Sequence, residues 1–153
     1  MPPLTRRAVP GALAALVLLS ACTPAAVDVT APSPDSATAA ICGPLLAEVP
    51  RTVTDLPQRT TTSEWTRAWG DPPVALACGV AKPAAMQQDS QCFEVNGVGW
   101  FAEPATGGYV FTTLGRAAYV QVNVPAQYSP EANVLTEFSA AINAHDPVQQ
   151  PCV

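Results

Sequence analysis

A short apolar run that ends at a cysteine constrains this chain before any folding pattern is considered. Arg6 and Arg7 precede residues 8–19, and the run closes on Leu19-Ser20-Ala21-Cys22. A positive start, a short apolar middle and small residues before a cut site make a secretory signal peptide. The run has 12 residues, against about 20 for a membrane-spanning helix. Pro10 and Gly11 weaken it further as a permanent helix. Residues 1–21 are therefore expected to leave the fold, and the rest of the chain is expected to fold outside the cytoplasm. No later segment is long or apolar enough to span a bilayer.

Leu19-Ser20-Ala21-Cys22 resembles the bacterial lipobox, with a leucine, two small residues and the cysteine that takes the lipid. The resemblance implies cleavage after Ala21 and a diacylglyceryl thioether on Cys22, carrying acyl chains of the palmitate class. Each buried CH₂ contributes roughly 0.8 kcal/mol, so two chains hold durably where one binds marginally. The expected partner is thus the cell membrane, reached through the lipid on Cys22, with the domain on its extracytoplasmic face. Residues 22–36 are rich in proline, alanine, serine and threonine, a mix that buries little and favours extended backbone. They read as a lipidated tether, leaving residues 37–153 as one globular domain.

Composition narrows the partners. The leader holds two arginines and no acid, so its loss takes the formal charge from −5 to −7. A chain this acidic has little with which to neutralise phosphates, which argues against nucleic acid and against electrostatic attraction to anionic lipid, so the lipid and not the charge is expected to hold the domain to the membrane. Four cysteines remain, Cys42, Cys78, Cys92 and Cys152. An even count outside the cytoplasm argues for two disulfides. No pair has the two-to-four-residue spacing of zinc ligands, so no metal is expected. Four cysteines allow three pairings. The preferred one joins Cys78 to Cys92 across two strands read as neighbours, and Cys42 to Cys152 across the ends of the domain.

The pattern along the domain is mixed. Ile41, Leu45, Leu46 and Val49 share one helical face, capped by Asp35 or Ser36, with Pro44 kinking or shortening the helix. Residues 51–62 suggest an edge strand, and residues 65–69 a helical turn or an extended lead-in. Residues 74–78 read as a buried strand. Asn96-Gly97 is a hairpin signal between residues 92–95 and 98–101, the alternative being one strand with a bulge. Val110, Thr112 and Leu114, then Val120, Val122 and Val124, alternate as strands. Ser129-Pro130-Glu131 opens a last helix with Val134, Leu135, Phe138 and Ile142 on its apolar stripe. The expected fold is α+β: an antiparallel sheet of about four to five strands, an N-terminal and a C-terminal helix packed on one face, and two disulfides.

Several of these pieces occur together in a known family. Cys42 with Leu45 and Pro50, Trp69-Gly70-Asp71-Pro72, Cys78-Gly79-Val80, residues 95–100 and Thr112-Thr113-Leu114-Gly115-Arg116 cover most of the domain. In combination they resemble a family of bacterial envelope lipoproteins of unknown function. That family usually has an arginine before its Cys-Gly-Val, where this chain has Ala77. The resemblance implies an exported, lipid-anchored domain without assigned chemistry.

Catalytic residue sets are not evident. His145 is the one histidine, beside Asp146 at a helix end, where a cation is favourable for structural reasons alone. No Gly-x-Ser-x-Gly, His-Glu-x-x-His or phosphate loop occurs, and no motif demands a cofactor. No catalytic residue is assigned. Trp69, Asp71, Trp100 and Arg116 are the candidates for a binding surface, because tryptophan combines apolar area with a donor and arginine recognises carboxylate or phosphate bidentately. The same residues have a structural explanation, an aromatic plug, a turn and an internal ion pair of Arg116 with Asp71 or Glu103. The first functional reading is a non-enzymatic accessory or interaction domain meeting an envelope protein partner. A small-ligand-binding lipoprotein with a pocket between Trp69 and Trp100 is the second, and an envelope hydrolase the third.

Overall fold

The computed structural model describes residues 24–152. The expected signal peptide and the expected lipidation site, Cys22, lie outside the described residues. The chain order is α1 (Ser36–Glu48), then β1 (Thr52–Val53), β2 (Leu56–Arg59), β3 (Thr66–Trp69), β4 (Val74–Cys78), β5 (Phe93–Val95), β6 (Val98–Ala105), β7 (Gly108–Thr113) and β8 (Val120–Pro125). A 3-10 turn at Ala126–Tyr128 and a longer one at Glu131–Phe138 lead into α2 (Ser139–His145). The strands form one antiparallel sheet in the order β1-β2-β3-β4-β8-β7-β6-β5.

This corrects the expected fold. The sheet has eight strands rather than four to five, and the two helices are short beside it. Residues 51–62 fold as the β1–β2 hairpin, with Thr54 and Asp55 in the left-handed region at its turn. Residues 66–69 are strand. The C-terminal apolar stripe winds as 3-10 before becoming α-helix, so the α-helical part is only 7 residues long. Two disulfides are present, but not with the preferred pairing: they join Cys42 to Cys78 and Cys92 to Cys152, with Cα separations of 5.6 and 5.7 Å. Strand order accounts for this pairing. β4 sits between β3 and β8, while β5 is at the far edge of the sheet. Cys78 therefore meets α1, and Cys92 meets the C-terminal tail.

The core lies on one face of this sheet. Val74, Leu76 and Cys78 alternate inward from β4, as do Val120, Val122 and Val124 from β8, and all are buried. Leu45, Leu46, Phe138 and Ile142 from the helical segments join the same cluster. Each such side chain contributes roughly 1.5–3 kcal/mol on burial. Asp35 caps α1, its carboxylate accepting from Thr38 N–H at 2.8 Å. Pro44 sits within the helix, one turn from its C-terminal end.

The opposite face carries small and polar residues, Ala68, Ala75, Ala77, Gln121 and Asn123, which pair across β3, β4 and β8. The N-terminal segment crosses it. Val27 N–H donates to Thr60 O at 2.8 Å and Thr62 N–H to Val27 O at 3.2 Å, a parallel bridge beyond β2. Arg59 Nη2 donates to Ala25 O at 3.3 Å. A cleft of about 250 Å³ separates residues 27–30 from Ala75, Ala77, Gln121 and Asn123. Further on, Pro34 approaches Gly79 so closely that a Cβ there would lie 2.8 Å from the proline.

Candidate functional site

The four residues expected to form a binding surface do not share one. Trp69 and Trp100 are fully buried in the core. Trp69 stacks at a tilt on Phe138, ring centroids 5.2 Å apart, and its Nε1 donates to Pro50 O at 2.9 Å. That bond joins β3 to the chain leaving α1. Asp71 has the opposite fate, with a side chain 89% exposed and 3.9 Å from Arg59. An exposed pair at that distance contributes about 0–1 kcal/mol. The rest of its turn is fastened by Tyr128, whose hydroxyl donates to Pro72 O at 2.7 Å.

Arg116 is the most connected polar side chain in this part of the molecule, and it is only 8% exposed. Its Nη1 donates to Asp146 O at 2.6 Å, and its Nη2 to Gly97 O at 2.7 Å and to Asn143 Oδ1. One guanidinium therefore ties the β5–β6 turn to the end of α2. It does not pair with Asp71 or Glu103. Burial lowers its pKa from the ordinary value, and the nearby charges of Asp146 and Glu94 act against that. Asp146 is buried too, and its Oδ1 accepts from Ala118 N–H at 2.9 Å. Burial raises its carboxyl above the usual range, opposed by the Ala118 bond and by Arg116.

The Asn-Gly turn is held from several sides. Asn96 and Gly97 both have positive φ, as a tight hairpin requires. Asn143 Nδ2 donates to Asn96 O at 2.9 Å, and Ser139 Oγ to Val95 O at 3.3 Å. The C-terminal tail adds to it: Gln149 N–H and Gln150 N–H donate to Gly115 O at 2.8 and 3.0 Å. Gly115 has φ +73°, and a Cβ there would run into the Gln150 carbonyl, so the position requires glycine. The tail then reaches Cys92 through Cys152. Residues 95–100 and 112–116 thus meet in one structural joint. Its signal in the sequence was the Asn-Gly pair; the partners on α2 and the tail had none.

His145 lies 2.9 Å from Glu48 Oε2, an ion pair when the imidazole is protonated. This contact joins the ends of α2 and α1. Among the described residues, no three His, Cys, Asp or Glu side chains converge as metal ligands. Nor is any helix among them long and apolar enough to cross a membrane.

The open surface features lie elsewhere. A cleft of about 710 Å³ runs between residues 30–35 and the loops at Gly79 and Tyr119. At the far edge, a groove of about 580 Å³ is lined by Gln91, Cys92, Phe93, Phe101 and Ala102. Phe93 and Phe101 are half-buried there, and β5 pairs only with β6 among the described strands.

The family profile described as "Protein of unknown function (DUF3515)" matches residues 7–151, nearly the whole chain. The chain belongs to this family. No curated protein and no solved structure matches it. For this DUF3515 member, the Trp-Gly-Asp-Pro and Gly-Arg segments act in packing: Trp69 in the core, Arg116 in the joint.

Proposed function

We propose that this DUF3515 domain is a lipid-anchored, extracytoplasmic accessory protein that docks another envelope protein and carries out no reaction itself. The observation that carries this reading is the β5 edge, which pairs only with β6 among the described strands and borders an open groove lined by the half-buried Phe93 and Phe101. An edge strand has unpaired N–H and C=O groups that accept an extended segment of a partner, and flanking apolar rings select its side chains. The Cys92–Cys152 bond begins one residue before β5 and braces that edge. A braced edge loses less conformational entropy on docking. The signal peptide and Cys22 supply the address and the anchor. The alternative of a ligand pocket between Trp69 and Trp100 has no support, because both rings are fully buried.

A photo-crosslinking residue at Gln91 of the full chain, activated in intact cells, tests the docking edge. One discrete protein adduct is expected, lost when Phe101→Asp is added while both disulfides and the membrane fraction are retained. If position 91 yields no adduct beyond that of a probe at Glu131, the docking role is wrong.

A further inference from the structure

Of the five cationic residues after Cys22, three stand at the same end of the strand order: Arg51 before β1, Arg59 on β2 and Arg67 on β3. Arg116 is buried, and Lys82 lies on the loop beyond β4. Between Arg59 and Arg67 runs a hydroxyl-rich loop, Thr60, Thr61, Thr62 and Ser63, and the two arginines and this loop line one shallow depression. Trp65 follows it, half-buried against the core. The N-terminal segment leaves the domain here, fixed by the Val27 bridge and by the bond from Arg59 to Ala25 O. Cys22 stands three residues before Ala25, and three residues span at most about 11 Å.

We infer that the loop of residues 60–64, with Arg59 and Arg67, is the face of the domain that rests on the bilayer and contacts phospholipid headgroup phosphates. This rests on the reading that Cys22 carries the lipid. A lipid so close to a fixed residue holds the domain near the surface, in contrast to a long free tether. Arg59 donates to Gly70 O and Ala25 O, and Arg67 to Glu64 O and Thr66 O, so both guanidiniums are fixed beside the loop. Their remaining N–H groups suit phosphate oxygens. The edge is not purely cationic. Glu64 lies in the loop, Asp71 is 3.9 Å from Arg59, and Thr62 Oγ1 donates to Asp28 Oδ1 at 3.3 Å. The lipid therefore provides the attachment, and the short link from Cys22 to Ala25 decides which side of an otherwise acidic domain turns toward the membrane. The β5 edge, at the other end of the strand order, is left facing away.

Hydrogen exchange of the full lipidated protein, compared between neutral detergent micelles and phosphatidylglycerol vesicles, tests this. An intact mass taken first reports the lipid on Cys22. The inference predicts exchange at residues 59–67 slowed about threefold or more on vesicles, with the β6–β7 hairpin at residues 105–108 unchanged. A lipidated chain whose residues 59–67 exchange equally in both, or which is protected at another face, overturns the orientation alone. A chain without the lipid mass overturns the anchor and the orientation together.

Discussion

Arg116 and Asp146 show how a few buried polar groups hold distant segments together. The guanidinium donates to Gly97 and Asp146 carbonyls and to Asn143, so its loss strands three acceptors at once. Removing one partner of such a cluster costs far more than an exposed pair, because the remaining groups stay desolvated. Arg116→Gln is expected to destabilise the domain by about 2–4 kcal/mol in urea unfolding. Asp71→Asn, at the exposed pair, should change it by less than about 1 kcal/mol. Asp146 gives a pH signature. Its carboxyl is raised in the fold from the ordinary 3.8 by burial. A group that binds its proton more tightly when folded adds stability below the unfolded pKa and loses it as pH rises through the folded value. Asp146→Asn keeps the acceptor for Ala118 N–H and removes this titration. Its unfolding free energy should fall less than the parent's as pH rises from 3.8 through the acidic range. Asp35 works with the opposite sign, since the Thr38 N–H bond lowers its carboxyl. Its capping contribution is lost as pH falls through that lowered value.

Between elements, the N-terminal segment approaches the sheet closely at Gly79. Gly79 has φ +86°, and a side chain there would press on Pro34. Gly79→Ala is expected to cost about 1–3 kcal/mol, from the left-handed backbone and the forced separation. Faster exchange of the Val27 and Thr62 amides would mark the segment lifting, and unchanged exchange would refute the coupling between Gly79 and the Val27 bridge. Much of this local order was legible in the sequence. The Asn96-Gly97 hairpin, the Asp35 cap and the valine alternation of β8 are each specified by neighbours a few residues apart. Which strands lie side by side was not. β8 enters between β4 and β7, and nothing in residues 74–78 announces a partner more than forty positions away. The disulfide pairing inherits that difficulty, because proximity in sequence favoured Cys78 with Cys92. The short β1–β2 hairpin was equally hidden, since its turn places Thr54 and Asp55, not glycine, at positive φ. At the candidate site, buried tryptophan and arginine carry the same letters as exposed ones. Only the three-dimensional packing shows that Trp69, Trp100 and Arg116 face inward.

At the scale of the whole molecule, the two disulfides divide the labour. Cys42–Cys78 pins α1 to the middle of the sheet, and Cys92–Cys152 ties the chain entering β5 to the C-terminal tail. They close loops with sequence separations of 36 and 60, for which chain entropy gives about 4 kcal/mol each. That is a large share of the roughly 5–15 kcal/mol typical of a domain. Reduction should therefore lower the urea midpoint sharply, whereas the lipid should leave it nearly unchanged. A domain dependent on such bonds suits an oxidising compartment, in keeping with the proposed export and anchoring at Cys22. The most direct measurement is a non-reducing peptide mass map of the protein isolated from its own membrane. The expected result is a chain beginning at a diacylglyceryl-modified Cys22, with Cys42 linked to Cys78 and Cys92 to Cys152. An unprocessed chain with free thiols, or the crossed pairing of Cys42 with Cys152, would contradict it.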